Sequence, residues 1–144
     1  MSLLHRNSDV TAAIIYRLTS AGLVVGDNEA PDNGGWQGDP GISTFVPYVD
    51  VHPSPGGPID GTMAAPSADA FPDYQITSVG VSRAQAELVG DEVREAMFQG
   101  PLNVPGRAVI QLRLDMLGGA VRDDTVQPAV FFVSDRYRLT TVPA

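Results

Sequence analysis

Tyr74-Gln75-Ile76-Thr77-Ser78-Val79-Gly80-Val81-Ser82-Arg83-Ala84-Gln85-Ala86-Glu87 is the stretch on which the fold turns. Tyr74 to Val79 reads as a short strand, and Gly80 lets the chain turn out of it. Ser82 followed by Gln85 matches a capping box, in which each side chain satisfies a backbone amide. A helix over 83–98 follows. Ala86, Val89, Val93, Ala96 and Met97 share one face, and Arg83, Glu87, Asp91 and Arg94 share the opposite one. Arg83 and Glu87 are spaced for an ion pair along the helix. Leu88 and Phe98 fall among the charges, so they are either covered by a loop or offered to a partner. Gly100-Pro101 ends the helix.

Working outward, residues 8 to 21 form an earlier helix, with Ser8 as N-cap and Asp9 in the first turn, where a negative charge suits the dipole. Val10, Ile14, Leu18 and Ala21 follow the helical period, Arg17 lies off that stripe, and Gly22 is a stop. Residues 26–44 read as a long polar loop around the only tryptophan, Trp36, which either anchors a partner surface or folds back on the core. A strand over 45–52 alternates Phe45, Val49 and Val51 against Val46, Tyr48 and Asp50. Pro47, lacking an amide donor, implies an edge or an irregularity there. A second extended loop, 52–72, is rich in proline and glycine.

Beyond the second helix the chain is β-rich. Ile110, Leu112, Leu114 and Met116 alternate with Gln111, Arg113 and Asp115, as in a half-buried antiparallel strand. Gly118-Gly119 marks a bend. The closing strand, 129–142, sets Phe131, Val133, Tyr137 and Leu139 opposite Phe132, Ser134, Arg136 and Arg138. The expected fold is therefore α+β, one domain over 1–144, in the order α-β-β-α-β-β. Two helices cover one face of a mostly antiparallel sheet. A chain of 144 residues buries enough surface to need no disulfide or metal staple.

Composition narrows the chemistry. The chain has no cysteine, which removes thiolate nucleophiles, redox pairs and most structural zinc sites. It has no lysine either, and all 9 basic residues are arginines, which excludes Schiff-base and P-loop lysines. Arginine favours carboxylate pairing at interfaces, although codon bias in a GC-rich genome accounts for the same absence. A net charge of −8 argues against a grip on nucleic acid, while an acidic wall lets a polyanion pass without sticking. No apolar run is long enough for a membrane span, and the start lacks a secretory signal, so a cytosolic origin is expected.

No catalytic set emerges. His5 and His52 are isolated and lack metal-motif spacing. Gly41-Ile42-Ser43-Thr44-Phe45 breaks the nucleophile-elbow pattern, and the glycine-rich tracts match neither a P-loop nor a dinucleotide fingerprint. Asp27, Glu29, Asp32 and Asp39 are the residues that would gather a hard cation, but their spacing is not that of an EF-hand. Asp123-Asp124 reads as a solvated turn rather than an acid–base pair. The expectation is a protein that is not an enzyme, without catalytic, metal or cofactor residues. The alternative from a different class is a small metal-dependent hydrolase using the acidic loop.

The strand Tyr74 to Gly80, the capped helix start Ser82 to Glu87, and the later Asp91-x-Val93-Arg94 resemble the tail terminator family of long-tailed phages, the minor tail proteins of actinobacterial phages. The order of elements extends that resemblance over most of the chain. It implies an α+β protomer in a homohexameric ring at the head-proximal end of the virion's tail, made in the host cytoplasm. Such a ring stops tube polymerisation and joins the major tail tube protein to the head–tail connector or stopper, while DNA passes through unbound. Another neck or connector protein is the nearest alternative. The expected interface residues are Trp36, Leu88, Phe98, Arg113, Arg136 and Arg138, with at least one of the three arginines pairing with a neighbouring subunit's carboxylate.

Overall fold

A computed structural model describes residues 5–57, 59–63 and 65–144; residues 1–4, Pro58 and Ala64, on which parts of the terminal and second-loop readings fall, lie outside it. The fold is α+β. Helix α1 (Asn7–Ser20) and helix α2 (Arg83–Met97) pack on one face of a sheet whose strands lie side by side as β1 (Val25–Asp27), β4 (Tyr48–Ser54), β7 (Asp73–Gly80), β10 (Val130–Pro143) and β8 (Arg107–Met116). A further strand, β9 (Val121–Asp123), pairs with the start of β10. Every pairing in this sheet is antiparallel except β1 with β4.

The segment 74–87 does what its sequence implies. β7 is a central strand flanked by β4 and β10, and its Tyr74, Ile76 and Ser78 face the helices. Ser82 Oγ accepts from the Gln85 amide at 3.1 Å, and Gln85 Oε1 reaches back to the Val81 amide at 2.8 Å, one residue earlier than in the usual reciprocal box. Gly80 is required by proximity as well as by the turn. A Cβ there would stand 2.7 Å from the Ala86 nitrogen, because the first turn of α2 lies directly on the end of β7.

The helices and sheet share one core. Val10, Ile14 and Leu18 of α1 and Val89, Val93, Ala96 and Met97 of α2 meet Val49, Val51, Tyr74, Ile76, Tyr137 and Leu139 of the sheet. Burial of these side chains, about 1.5–3 kcal/mol for each large one, is the main driving force. Two polar ties orient α1 on that core. The Tyr74 hydroxyl and Thr11 Oγ1 lie 2.7 Å apart. Arg17 donates to the carbonyls of Ala96, Gly100 and Pro101 at 3.0, 3.2 and 2.9 Å, satisfying the C-terminal end of α2.

Four expectations change. Ser8 is not the N-cap: the helix begins at Asn7, and Arg6 occupies the cap without a side-chain hydrogen bond. The segment 26–44 is not a bare loop, since it starts within β1 and contains β2 (Gly35–Trp36), which pairs with β3 (Phe45–Val46). Pro47 interrupts the expected 45–52 strand between β3 and β4, yet β4 is interior, held by β1 and β7. The segment 52–72 includes the end of β4 and a hairpin of β5 (Asp60–Thr62) with β6 (Ala65–Asp69).

β8 departs from simple alternation for a clear reason. Its register against β10 slips twice: Gln111 faces Thr140 while Val109 faces Thr141, and Leu114 faces Tyr137 while Met116 faces Arg136. Each slip inserts one extra residue, Ile110 and Asp115, as β-bulges do. Leu112 and Leu114 pack on the core as expected, but Ile110 and Met116 are exposed (63% and 57%).

Candidate interaction surface

Alternation along the strands gives the sheet a second face, turned away from the helices. Cross-strand register arranges its residues in rows: Tyr48, Val79, Phe132 and Val121; then Asp50, Thr77 and Ser134; then His52, Gln75, Arg136 and Met116; then Ser54, Asp73, Arg138 and Arg113. The first row is apolar; the β2–β3 hairpin lies over its Tyr48 end, while Val121 at the other end is exposed. A Cβ on Gly34 would lie 2.8 Å from that of Tyr48, and Trp36 packs edge-on against Phe45 (centroids 5.1 Å), which in turn lies 6.3 Å from Tyr48. Trp36 is thus half-buried in its own hairpin. The lower rows are polar.

Of the three arginines expected at an interface, two have partners within the chain. Arg138 forms a two-pronged pair with Asp73 at 2.8 and 2.9 Å, and Arg113 lies 3.2 Å from Asp115 on its own strand. Arg136 has neither an ion pair nor a hydrogen bond to its side chain among the described residues, and its Nε is buried without a partner. Arg136 as a whole is only half-buried, and its guanidinium, unlike that of Arg138, is not tied to any described group of its own chain.

On the other side of the molecule, Leu88 and Phe98 stand 59% and 51% exposed along α2. The Phe98 ring centroid lies 6.2 Å from that of Tyr137, and Phe98 lines a groove of about 210 Å³ together with Ile110 and Leu112. Between Leu88 and Phe98, on the same face, lie the exposed carboxylates of Glu92 and Glu95, neither ion-paired among the described residues. The acidic neighbours are spent differently: Glu87 pairs with Arg83, and Asp91 with Arg94 at 3.0 Å.

Sequence reasoning missed Asp135, which points into the protein from β10 and is 2% exposed. It accepts from Arg94 Nε at 2.8 Å, Arg94 Nη2 at 3.0 Å and the Gly118 amide at 2.8 Å. The hydrogen bond to Asp135 holds the Arg94 guanidinium pKa above its ordinary value, against the opposing effect of burial. Burial, with the Asp135 charge second, raises the Tyr137 phenol. The only signal available was an acidic residue at an inward position of an otherwise apolar alternation.

The acidic loop does not assemble into a site. Among the described residues no three His, Asp or Glu side chains come together to hold a metal ion. Nearby, Asp50 is raised above the usual carboxylate range by desolvation, with the His52 charge pulling it down and Glu29 pushing it up. Both histidines bond to asparagine side chains, His52 to Asn28 at 2.9 Å and His5 to Asn7 at 2.6 Å. Asp123 and Asp124 face separate partners, Thr125 and Arg122. No described helix is long and apolar enough to cross a membrane.

No family model matches the sequence, and no curated protein does. Among solved structures, a chain from the virion of a native gene transfer agent particle matches with a TM-score of 0.54 at 17% identity, over 91% of this chain and 94% of that one. The match is one of fold. A second solved chain aligns over 96% of both chains at 17% identity, with a TM-score of 0.45.

Proposed function

We propose that this chain is a structural virion protein and, more narrowly, a tail terminator: a single domain that forms a homohexameric ring, caps the tail tube, stops its polymerisation and joins it to the head–tail connector. The observation that carries this reading is a likeness of fold, aligned along 91% of this chain, to a chain of a gene transfer agent virion. The β7–α2 segment, which resembles the tail terminator family, adds to it. The surface is consistent with assembly rather than turnover. It offers an exposed acidic and apolar helix face and a polar sheet face with an arginine unpaired among the described residues. A chain of net charge −8 also suits a channel that DNA traverses without adhering.

Purified protein mixed with tail tubes should form rings at one tube end, seen by electron microscopy. Absence of tube-end association under assembly conditions would refute the reading. Another neck or connector protein is distinguished by its position in the particle. A metal-dependent hydrolase would reveal itself by binding calcium, magnesium or manganese in a titration.

A further inference from the structure

Copies of a chain with net charge −8 repel one another at a distance, so a face that joins them needs locally opposite charge. Two patches meet that requirement. One is the α2 stripe Leu88, Glu92, Glu95 and Phe98, in which two unpaired carboxylates lie between exposed apolar side chains. The other surrounds Arg136 on the sheet face turned away from the helices, where Met116 sits directly across the strand pair and is exposed. Each patch thus has a charged centre and an apolar flank, with opposite signs. They lie on opposite sides of the two-layer structure, so no copy can bring its own patches together.

We propose that a second copy of this chain covers each patch: Glu92 and Glu95 of one copy meet Arg136 of the next, with Leu88 and Phe98 seated beside Met116. Such a contact is heterologous. Each copy keeps one free patch of each kind, and the chain of contacts closes into a ring or continues as a filament. The half-exposed Arg136 guanidinium acquires a carboxylate acceptor, and the exposed apolar side chains of both patches leave water. This inference rests on the assembly reading above and specifies its subunit contact.

The absence of cysteine makes the test clean. Glu95→Cys and Arg136→Cys are prepared separately, incubated alone and mixed under mild oxidation, with and without tail tubes. A disulfide-linked dimer is expected only in the mixture. A dimer from either variant alone indicates a like-with-like contact and overturns the proposal. A charge exchange provides the second measurement. Glu92→Arg/Glu95→Arg and Arg136→Glu should each weaken self-association by about tenfold or more, and mixing the two should restore it. Circular dichroism confirms that each variant is folded. Absence of both the mixed dimer and the rescue overturns the contact, even where rings still cap tubes. Mixed dimers without tube-end binding would uphold the contact and refute the tail terminator reading.

Discussion

Asp135→Ala is expected to destabilise the protein by about 3 kcal/mol, although the residue touches no proposed partner. Removing one member of a buried ion pair typically costs about 3–5 kcal/mol, because the other charge is left in a poorly solvated place. Here Arg94 retains Asp91 at 3.0 Å and has 23% of its side chain in water, which sets the estimate at the lower end. The Gly118 amide also loses its acceptor. Asp135→Asn should not rescue fully: with its oxygen kept toward Gly118 and Arg94 Nη2, its amide group would face Arg94 Nε, donor against donor. In the double variant with Arg94→Met neither charge remains, so the cycle should show coupling of about 1–3 kcal/mol. Urea unfolding at neutral pH measures all of these, and against a total stability of roughly 5–15 kcal/mol the losses are easily resolved. Single variants within about 1 kcal/mol of the parent, together with an additive cycle, would refute the claim that this pair ties α2 to the sheet.

Ser82→Ala removes the cap oxygen from the Gln85 amide and should cost about 1 kcal/mol in the same unfolding assay. Arg17→Ala removes a donor from the Ala96, Gly100 and Pro101 carbonyls, of which Ala96 keeps the Gln99 amide; a loss of about 1–2 kcal/mol is expected, with faster amide exchange at 96–100 than earlier in the helix. Asp50→Asn should stabilise the protein at neutral pH and lose that advantage in acid. The folded carboxyl has a raised pKa, so its cost is present above that pKa and gone below the unfolded value of about 3.9. Unfolding curves of parent and variant across that range check the sign, and a gain that grew on acidification would reverse it.

Legibility depended on whether a feature is local. The capped start of α2 and its buried face were readable because capping and the 3.6-residue period involve residues a few positions apart. The inward set Val133, Tyr137 and Leu139 was readable from alternation alone. The bulges at Ile110 and Asp115 were not, since a register slip is defined only against the partner strand, and Arg136 and Tyr137, Thr140 and Thr141, which flank the slips on β10, lie more than twenty positions further along than the bulged residues. β1 escaped notice because three residues pairing in parallel with a distant strand leave no periodic trace. At the candidate interface, the place of Leu88 and Phe98 among charges left cover by a loop and exposure both open, and the structure shows them exposed, whereas the difference between Arg136 and Arg138 left no trace in the sequence. Both alternate onto the same face, and only Asp73, 65 positions before Arg138, separates them.

That separation bears on how an arginine-only chain uses its cations. Arg17 binds carbonyls, Arg94 and Arg138 hold buried carboxylates, Arg107 donates to the Thr141 carbonyl and hydroxyl, and Arg83, Arg113 and Arg122 pair on the surface with neighbours along the chain. Exposed pairs of the last kind are worth only about 0–1 kcal/mol, so they can be exchanged for a partner's carboxylate at little cost. The two-pronged Arg138–Asp73 pair cannot be, because a carboxylate 5% exposed in its side chain would be left behind. Of the three arginines on the open sheet face, Arg136 is therefore the one available for an intersubunit contact without breaking an existing tie. A triple Arg→Ala variant would confound the two effects, losing stability through Arg138 and assembly through Arg136. Arg136→Ala alone separates them: assembly should fail while the unfolding midpoint stays near that of the parent.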